Sequence, residues 1–253
     1  MTQKEVPLRA VETSYKVLES LKHLEGATVS DVAERLDIPR STVHVHLSTL
    51  TELEYATKVG DRYDVGLRYL QLGEHAKYRR NVYEAAKPQL ERLADETGEL
   101  AQLMVEEHGL GVHLYKALGQ EAVALDTYAG KRIHLHQTGR GKAILAFLPE
   151  ERVEEIIEER GLPEATPNTT TTRDRLFEEL AGIRDRGYAI DTEERVEGLR
   201  CIAAPVTDQD DRALGAISVA GPTTRLQGEY FETELPETVR QVANVIELNL
   251  SYS

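Results

Sequence analysis

Cysteine occurs once in 253 residues, tryptophan never, phenylalanine three times and methionine twice. One thiol excludes an intrachain disulfide framework, so the fold must rest on its own core. No apolar run is long enough to span a bilayer and nothing resembles a signal peptide, which points to a cytosolic protein with no membrane association. Basic side chains are short as well: 30 Lys and Arg stand against 44 Asp and Glu, a formal net charge of -14. That balance looks wrong for a nucleic-acid binder, but it is unevenly spread. Residues 1–80 carry twelve basic and twelve acidic side chains, leaving 18 and 32 to the other 173. The negative excess therefore belongs to the C-terminal part, and the length predicts two domains. Lys is scarce beside Arg and carboxylates are abundant throughout, a composition that points to a high-salt cytoplasm. At molar salt the Debye length is only about 3 Å, so direct hydrogen bonds and methyl contacts would have to carry recognition of DNA.

The informative part of what remains is Thr28 to Glu54, TVSDVAERLDIPRSTVHVHLSTLTELE. Thr28 and Asp31 have capping-box spacing ahead of an apolar stripe of Val29, Val32, Ala33 and Leu36. Pro39 forbids continuation of that helix. A second helix from Arg40 places Val43, Leu47, Leu50 and Leu53 on one side. Its opposite side then carries Ser41, Val45, Ser48 and Glu52, flanked by Thr42, His44 and Thr49, with His46 nearer the core edge. Hydroxyls can bond base edges or phosphates, and Val45 can touch a thymine methyl. An ordinary solvated hairpin of helices fits the same pattern, but the next segment argues against it. Tyr55–Val59 and Arg62–Val65 read as strands around Gly60-Asp61, a Gly-first loop suited to a type II′ turn. A hairpin directly after such a helix is a wing, with Lys58 and Arg62 beside its tip to meet phosphates or a minor groove. Upstream, Val11, Tyr15, Leu18 and Leu21 supply the remaining helix of a three-helix core.

Two helical stretches follow, 67–80 and 82–98, the latter with Ala85, Ala86, Leu90, Leu93 and Ala94 as its apolar face. From Ala101 the pattern turns to short β-like segments, AQLMVEE, GVHLYKAL and EAVALDTY. A helix near Gly141, two more helices, the strands GYAID, CIAAPVTD and ALGAISVAG, and a last helix on Val239, Val242, Ala243, Ile246 and Leu250 complete the chain. Thr171 and Asp174 repeat the capping-box spacing. The order predicts an α+β sheet packed on one side by helices. Strand alternation separates Cys201, Ala203 and Pro205 from Ile202, Ala204 and Val206, and Ala216, Ser218 and Ala220 from Ile217 and Val219. The small-residue face either packs tightly on a helix or leaves volume for a ligand. Amides at the start of the helix after Gly139-Arg140-Gly141-Lys142 offer a place for a carboxylate.

Taken in order, STVHVHLSTL, TGRGKAILAFLP and GYAIDTEERVEGLRCIAAPVTD leading to ALGAISVAGP resemble the IclR family of transcriptional regulators, from about Leu8 to the C-terminus. The resemblance implies a winged helix-turn-helix over residues 1–66, a linker helix over 67–80 and a GAF-like, profilin-like effector-binding domain over 81–253. It also implies double-stranded operator DNA and a small metabolite, a sugar acid or another organic acid, as partners, in a dimer or dimer of dimers that controls a catabolic operon. Carried over position by position, the effector contacts would be Gly139, Arg140, Asp191, Leu199, Cys201, Ser218 and Ala220, with Leu125 on the apolar side. Many relatives have Arg where this chain has Val45, which favours an A·T-leaning site, and usually something smaller than Arg140.

Other constellations carry less. His134 and His136 in IHLH would face one way on a strand and could share a metal with Asp126 or Cys201, but isolated HxH pairs are mostly incidental; no metal or cofactor is expected. A cysteine-dependent enzyme built on Cys201 is the rival from another class, and it lacks an activating His fixed by sequence. A third reading is an architectural DNA protein without an effector.

Overall fold

Helix α1 (Arg9–His23), strand β1 (Ala27–Thr28), helices α2 (Val29–Leu36) and α3 (Arg40–Glu52) and strands β2 (Ala56–Val59) and β3 (Arg62–Val65) open the computed structural model, which describes residues 6–252. The Thr28 capping box forms: the Asp31 amide donates to Thr28 Oγ1 at 3.3 Å and the Thr28 amide donates to Asp31 Oδ2 at 2.8 Å. α2 ends at Asp37 in the left-handed region, φ 52°, and Pro39 then precedes α3. Val17, Leu21, Val32, Val43 and Leu47 are fully buried between the three helices and a small antiparallel sheet ordered β1-β3-β2. Each such side chain contributes about 1.5–3 kcal/mol by leaving water. Gly60 alone in the hairpin turn has positive φ, 63°, as a type II′ turn requires.

Two readings of this core need correction. Val11 and Tyr15 are exposed, and Val17 packs inside with Leu18 and Leu21. α1 begins more than a turn before its covered part, so the N-terminal half of its apolar stripe has no core to join. Leu53 is also exposed, because α3 ends at Glu52 and the chain turns through Glu54 at φ 64°. The Tyr55 amide donates to the Leu50 carbonyl at 2.8 Å, and Tyr55 packs against the core in its place.

The described residues divide into two compact units between Ala76 and Lys77, inside helix α4 (Arg68–Tyr78). The second unit holds α5 (Asn81–Thr97), β4 (Leu100–Glu107), β5 (Leu110–Leu118), β6 (Arg132–Ile133), α6 (Gly139–Ala146), α7 (Glu150–Arg160), α8 (Arg173–Arg186), β7 (Ala189–Thr192), β8 (Leu199–Thr207), β9 (Ala213–Pro222) and α9 (Leu235–Ser251). Its six strands form one antiparallel sheet, β6-β5-β4-β9-β8-β7.

Helices cover both faces of this sheet, not one. Leu103, Val105, Ile202, Val206, Ile217 and Val219 pack with α5 and α9, while Met104, Cys201, Ala203, Ala216 and Ala220 pack with α6, α7 and α8. The central strands are apolar on both sides, so each side needs cover. EAVALDTY forms no strand; β6 takes the edge beside β5, pairing with Gly111 and Val112. That segment instead lies as a half-exposed loop, tied down where Gln102 Nε2 donates to Thr127 Oγ1 at 3.3 Å and Lys116 Nζ donates to the Thr127 carbonyl at 2.6 Å. The capping box at Thr171 is absent too: α8 begins after Thr172, which makes no side-chain cap bond. Among the described residues, no helix is long and apolar enough to cross a membrane.

Candidate DNA-reading surface and effector cavity

On α3 the buried row of Val43, Leu47 and Leu50 fixes which residues face outward. Arg40, Ser41, His44, Val45, Ser48 and Thr49 are exposed and Thr42 is half-buried, so one face carries the residues expected there. Val45 is 62% exposed, an apolar side chain standing on the outward face of the helix. His46 turns back, its Nδ1 2.8 Å from Ser14 Oγ, and Thr49 Oγ1 donates to the Val45 carbonyl at 2.9 Å. α3 has no side-chain N-cap, which leaves the first-turn amides beside Arg40 free for an anion such as a DNA phosphate. On the wing, Lys58 Nζ lies 5.0 Å from the centre of the Tyr63 ring. Arg62 is only half available, because its Nη2 donates to the Gly26 carbonyl at 2.6 Å.

In the second unit, a cavity of about 50 Å³ opens over the small-residue face of the sheet, lined by Gln102, Leu125, Thr138, Arg140, Asp191, Arg195, Val196, Leu199, Cys201 and Ala220 among others. Strand register explains the gathering: Gln102 of β4 sits opposite Ser218 of β9, and Cys201 of β8 opposite both Asp191 of β7 and Ala220 of β9. The same face also packs on α6, since Gly139 approaches Cys201 and Ala203 closely. Six of the eight residues expected at the effector site line the space directly. Gly139 and Ser218 stand just behind, bonded to Asp191 and Arg140.

Arg140 is buried and turned inward, not to solvent. Its Nη1 donates to Ser218 Oγ at 2.6 Å and to Gln102 Oε1, its Nε has no partner, and no ion pair to a carboxylate forms. Burial holds its pKa below the ordinary guanidinium value, while Asp191 nearby works the other way. The helix start does not offer a vacant carboxylate site. Asp191 fills it, accepting from the Gly139 amide at 3.1 Å and the Glu194 amide at 3.0 Å, while Thr138 Oγ1 accepts from Gly141 at 3.1 Å. Burial raises the Asp191 pKa against those bonds. Lys142 points away, between Glu194 and Glu179; burial works against its charge, but these carboxylates hold its pKa above the usual value. Two further cations line the cavity: Arg195, whose Nη1 donates to Gln137 Oε1 at 2.8 Å, and Arg200, whose Nη1 donates to the Leu226 carbonyl at 3.2 Å.

Gln102, Thr138, Arg195, Val196 and Arg200 escape a reading of the sequence alone. Gln102 leaves one trace, a lone amide at an inward position of an apolar strand; the loop residues Arg195 and Val196 leave none. Cys201 is buried, and burial pushes its thiol up to about 12, far from the thiolate a nucleophile needs. His134 and His136 lie at a short 3-10 turn, not on a strand, and His136 Nε2 is 3.0 Å from the Pro163 carbonyl. Among the described residues no three His, Cys, Asp or Glu side chains group to hold a metal ion.

A winged helix-turn-helix unit joined to a sheet domain with a small, mainly apolar cavity holding a buried arginine defines a transcriptional regulator that reads DNA. Residues 10–60 match the IclR helix-turn-helix domain and residues 75–248 the C-terminal domain of the bacterial transcriptional regulator IclR. The chain belongs to the IclR family. It is 32% identical over 247 residues to the probable HTH-type transcriptional regulator ArcR of Halobacterium salinarum, covering 96% of this chain and 94% of that protein. It is 36% identical over 221 residues to BhcR of Paracoccus denitrificans, covering 87% and 79%. The crystal structure of an IclR homolog from Microbacterium hydrocarbonoxydans complexed with 4-hydroxybenzoate superposes with a TM-score of 0.82 at 25% identity, covering 96% of this chain and all of that one. The family and these relatives are transcriptional regulators, not enzymes.

Proposed function

We propose that this chain binds a promoter operator through α3 and the wing as a homodimer or dimer of dimers, and that a short organic acid in the cavity controls its hold on a catabolic operon. The carrying observation is Arg140: a buried guanidinium at the cavity wall with no carboxylate partner, which an acid ligand would supply. One water needs roughly 10–15 Å³, so a space of about 50 Å³ suits a few heavy atoms. A two-carbon acid such as acetate or glycolate fits without rearrangement; a sugar acid or an acid the size of 4-hydroxybenzoate requires the cavity to open. Pairing through the DNA-binding unit is supported by Leu8, just ahead of α1, and Val11 and Tyr15 on it, an apolar row left exposed. An acidic protein that must hold DNA benefits from two reading heads. Acting on DNA, it would work in the cytoplasm.

Fluorescence anisotropy on DNA from the chain's own upstream region, in molar KCl with and without short carboxylic acids, tests the reading. Ser41→Ala should weaken operator binding about tenfold, by loss of a contact worth about 1–3 kcal/mol, and Ser218→Ala should spare DNA affinity while blunting the response to acid. No preference for any fragment over random duplex would refute it.

A further inference from the structure

We propose that Gln102 is a built-in stand-in for the effector's carboxylate, and that its exchange for the real one releases the loop over the cavity. This rests on the short-acid reading above and assigns the specificity and the coupling to one residue. Gln102 and Ser218 are cross-strand neighbours on β4 and β9, and both present oxygen to the same Arg140 nitrogen. An amide oxygen satisfies the guanidinium's geometry but not its charge. An incoming carboxylate would do both, and it enters where Gln102 already sits, since Gln102 lines the cavity beside Arg140.

The other end of the same amide holds the loop. Gln102 Nε2 donates to Thr127 Oγ1 at 3.3 Å, and the loop bearing Thr127 also carries Leu125 into the cavity wall. Because the guanidinium can only donate, the amide oxygen must face Arg140 and the amide nitrogen must face Thr127. One side chain therefore cannot leave Arg140 without altering its hold on Thr127. Behind it, Gln102 also lines a second, smaller space with His113, Tyr115, Lys116 and Tyr128, and buried His113 Nδ1 has no partner. That space, about 10 Å³, is no larger than one water needs, so a displaced Gln102 amide reaches the unpaired ring nitrogen only if the Thr127 loop moves with it. The two states thus differ in which group pairs with Arg140, and an acid shifts them by its preference for one.

The test is Gln102→Glu, which places a carboxylate on Arg140 permanently at unchanged size. Its operator Kd should move about tenfold from the wild-type value, toward that of acid-saturated wild type, in the absence of any acid. Amide hydrogen exchange over residues 121–130 should change with it, and thermal-shift titration with acetate, glycolate, lactate and malonate should show binding weakened at least about tenfold. Thr127→Val, on a part-exposed loop that leaves the core intact, should raise exchange over 121–130 while retaining acid binding. The proposal is overturned if Gln102→Glu is folded by circular dichroism yet keeps its operator Kd and its acid midpoint within about twofold of wild type. It is also overturned if Thr127→Val leaves loop exchange unchanged. If none of these acids binds wild type, the short-acid reading fails separately, and the Gln102→Glu operator Kd still decides whether a carboxylate at this position throws the switch.

Discussion

Arg140→Gln removes a buried positive charge while keeping a side chain able to meet Ser218. Acid affinity should fall by at least about tenfold, the loss expected when a charge-assisted bond worth about 1.5–3 kcal/mol disappears. The unliganded protein should melt no earlier than wild type, because a buried unpaired charge costs stability that its removal returns. Isothermal titration and calorimetry on one sample check both. His113 gives a pH prediction at the same scale. It is 3% exposed, and burial, followed by the charge of Arg140, drives its pKa from 6.5 down to about 2. Below pH 6.5 the unfolded chain takes a proton that the folded one refuses, so stability falls on acidification by up to about 1.4 kcal/mol per pH unit for this group alone. The loss continues until the folded pKa is reached. His113→Gln should flatten the dependence of Tm on pH between 6.5 and 4; an unchanged slope would place the acid sensitivity elsewhere. Nothing in GRGK tells that its arginine turns inward onto a serine 78 positions later, because that depends on strand pairing across the whole sheet.

At the scale of elements, two stretches with the same capping spacing behave differently. Thr28→Ala should cost about 1 kcal/mol in urea unfolding of the DNA-binding unit, since Thr28 accepts from the Asp31 amide there. Thr171→Ala should stay within about 0.5 kcal/mol, because α8 starts one residue later and makes no cap bond. The difference lies in surroundings: Thr166, Thr169 and Thr170 are buried and bonded to Glu193, Glu194 and Glu179, and these fix the loop before the helix can choose its first residue. Local periodicity made α2, α3, the wing and the strands around Cys201 and Ser218 readable in advance. It misled at EAVALDTY, whose strand-forming residues lie over the cavity, and at Leu53 and Val11, whose apolar character matched a stripe that the core does not reach. Of the cavity, Cys201 and Ala220 could be anticipated by strand alternation, but Gln102 and Arg200, on strands of the same sheet, could not. Arg195 and Val196 could not, since they come from a hairpin loop with no period.

For the whole molecule, the exposed row Leu8, Val11 and Tyr15 gives a prediction about assembly. Tyr15→Glu should shift light-scattering mass in molar KCl toward the single chain of 28.3 kDa and weaken operator binding without altering acid binding. A mass unchanged by the substitution would move the pairing surface elsewhere. The inward arginine reaches further than recognition. A chain that keeps a lone charge inside is less firmly folded empty than filled, and a bound acid stabilises it in proportion to the logarithm of its concentration. Proteases act on the fraction that opens. If the cavity holds an acid as proposed, the steady amount of this regulator would differ between acid-poor and acid-rich conditions even at a constant rate of synthesis.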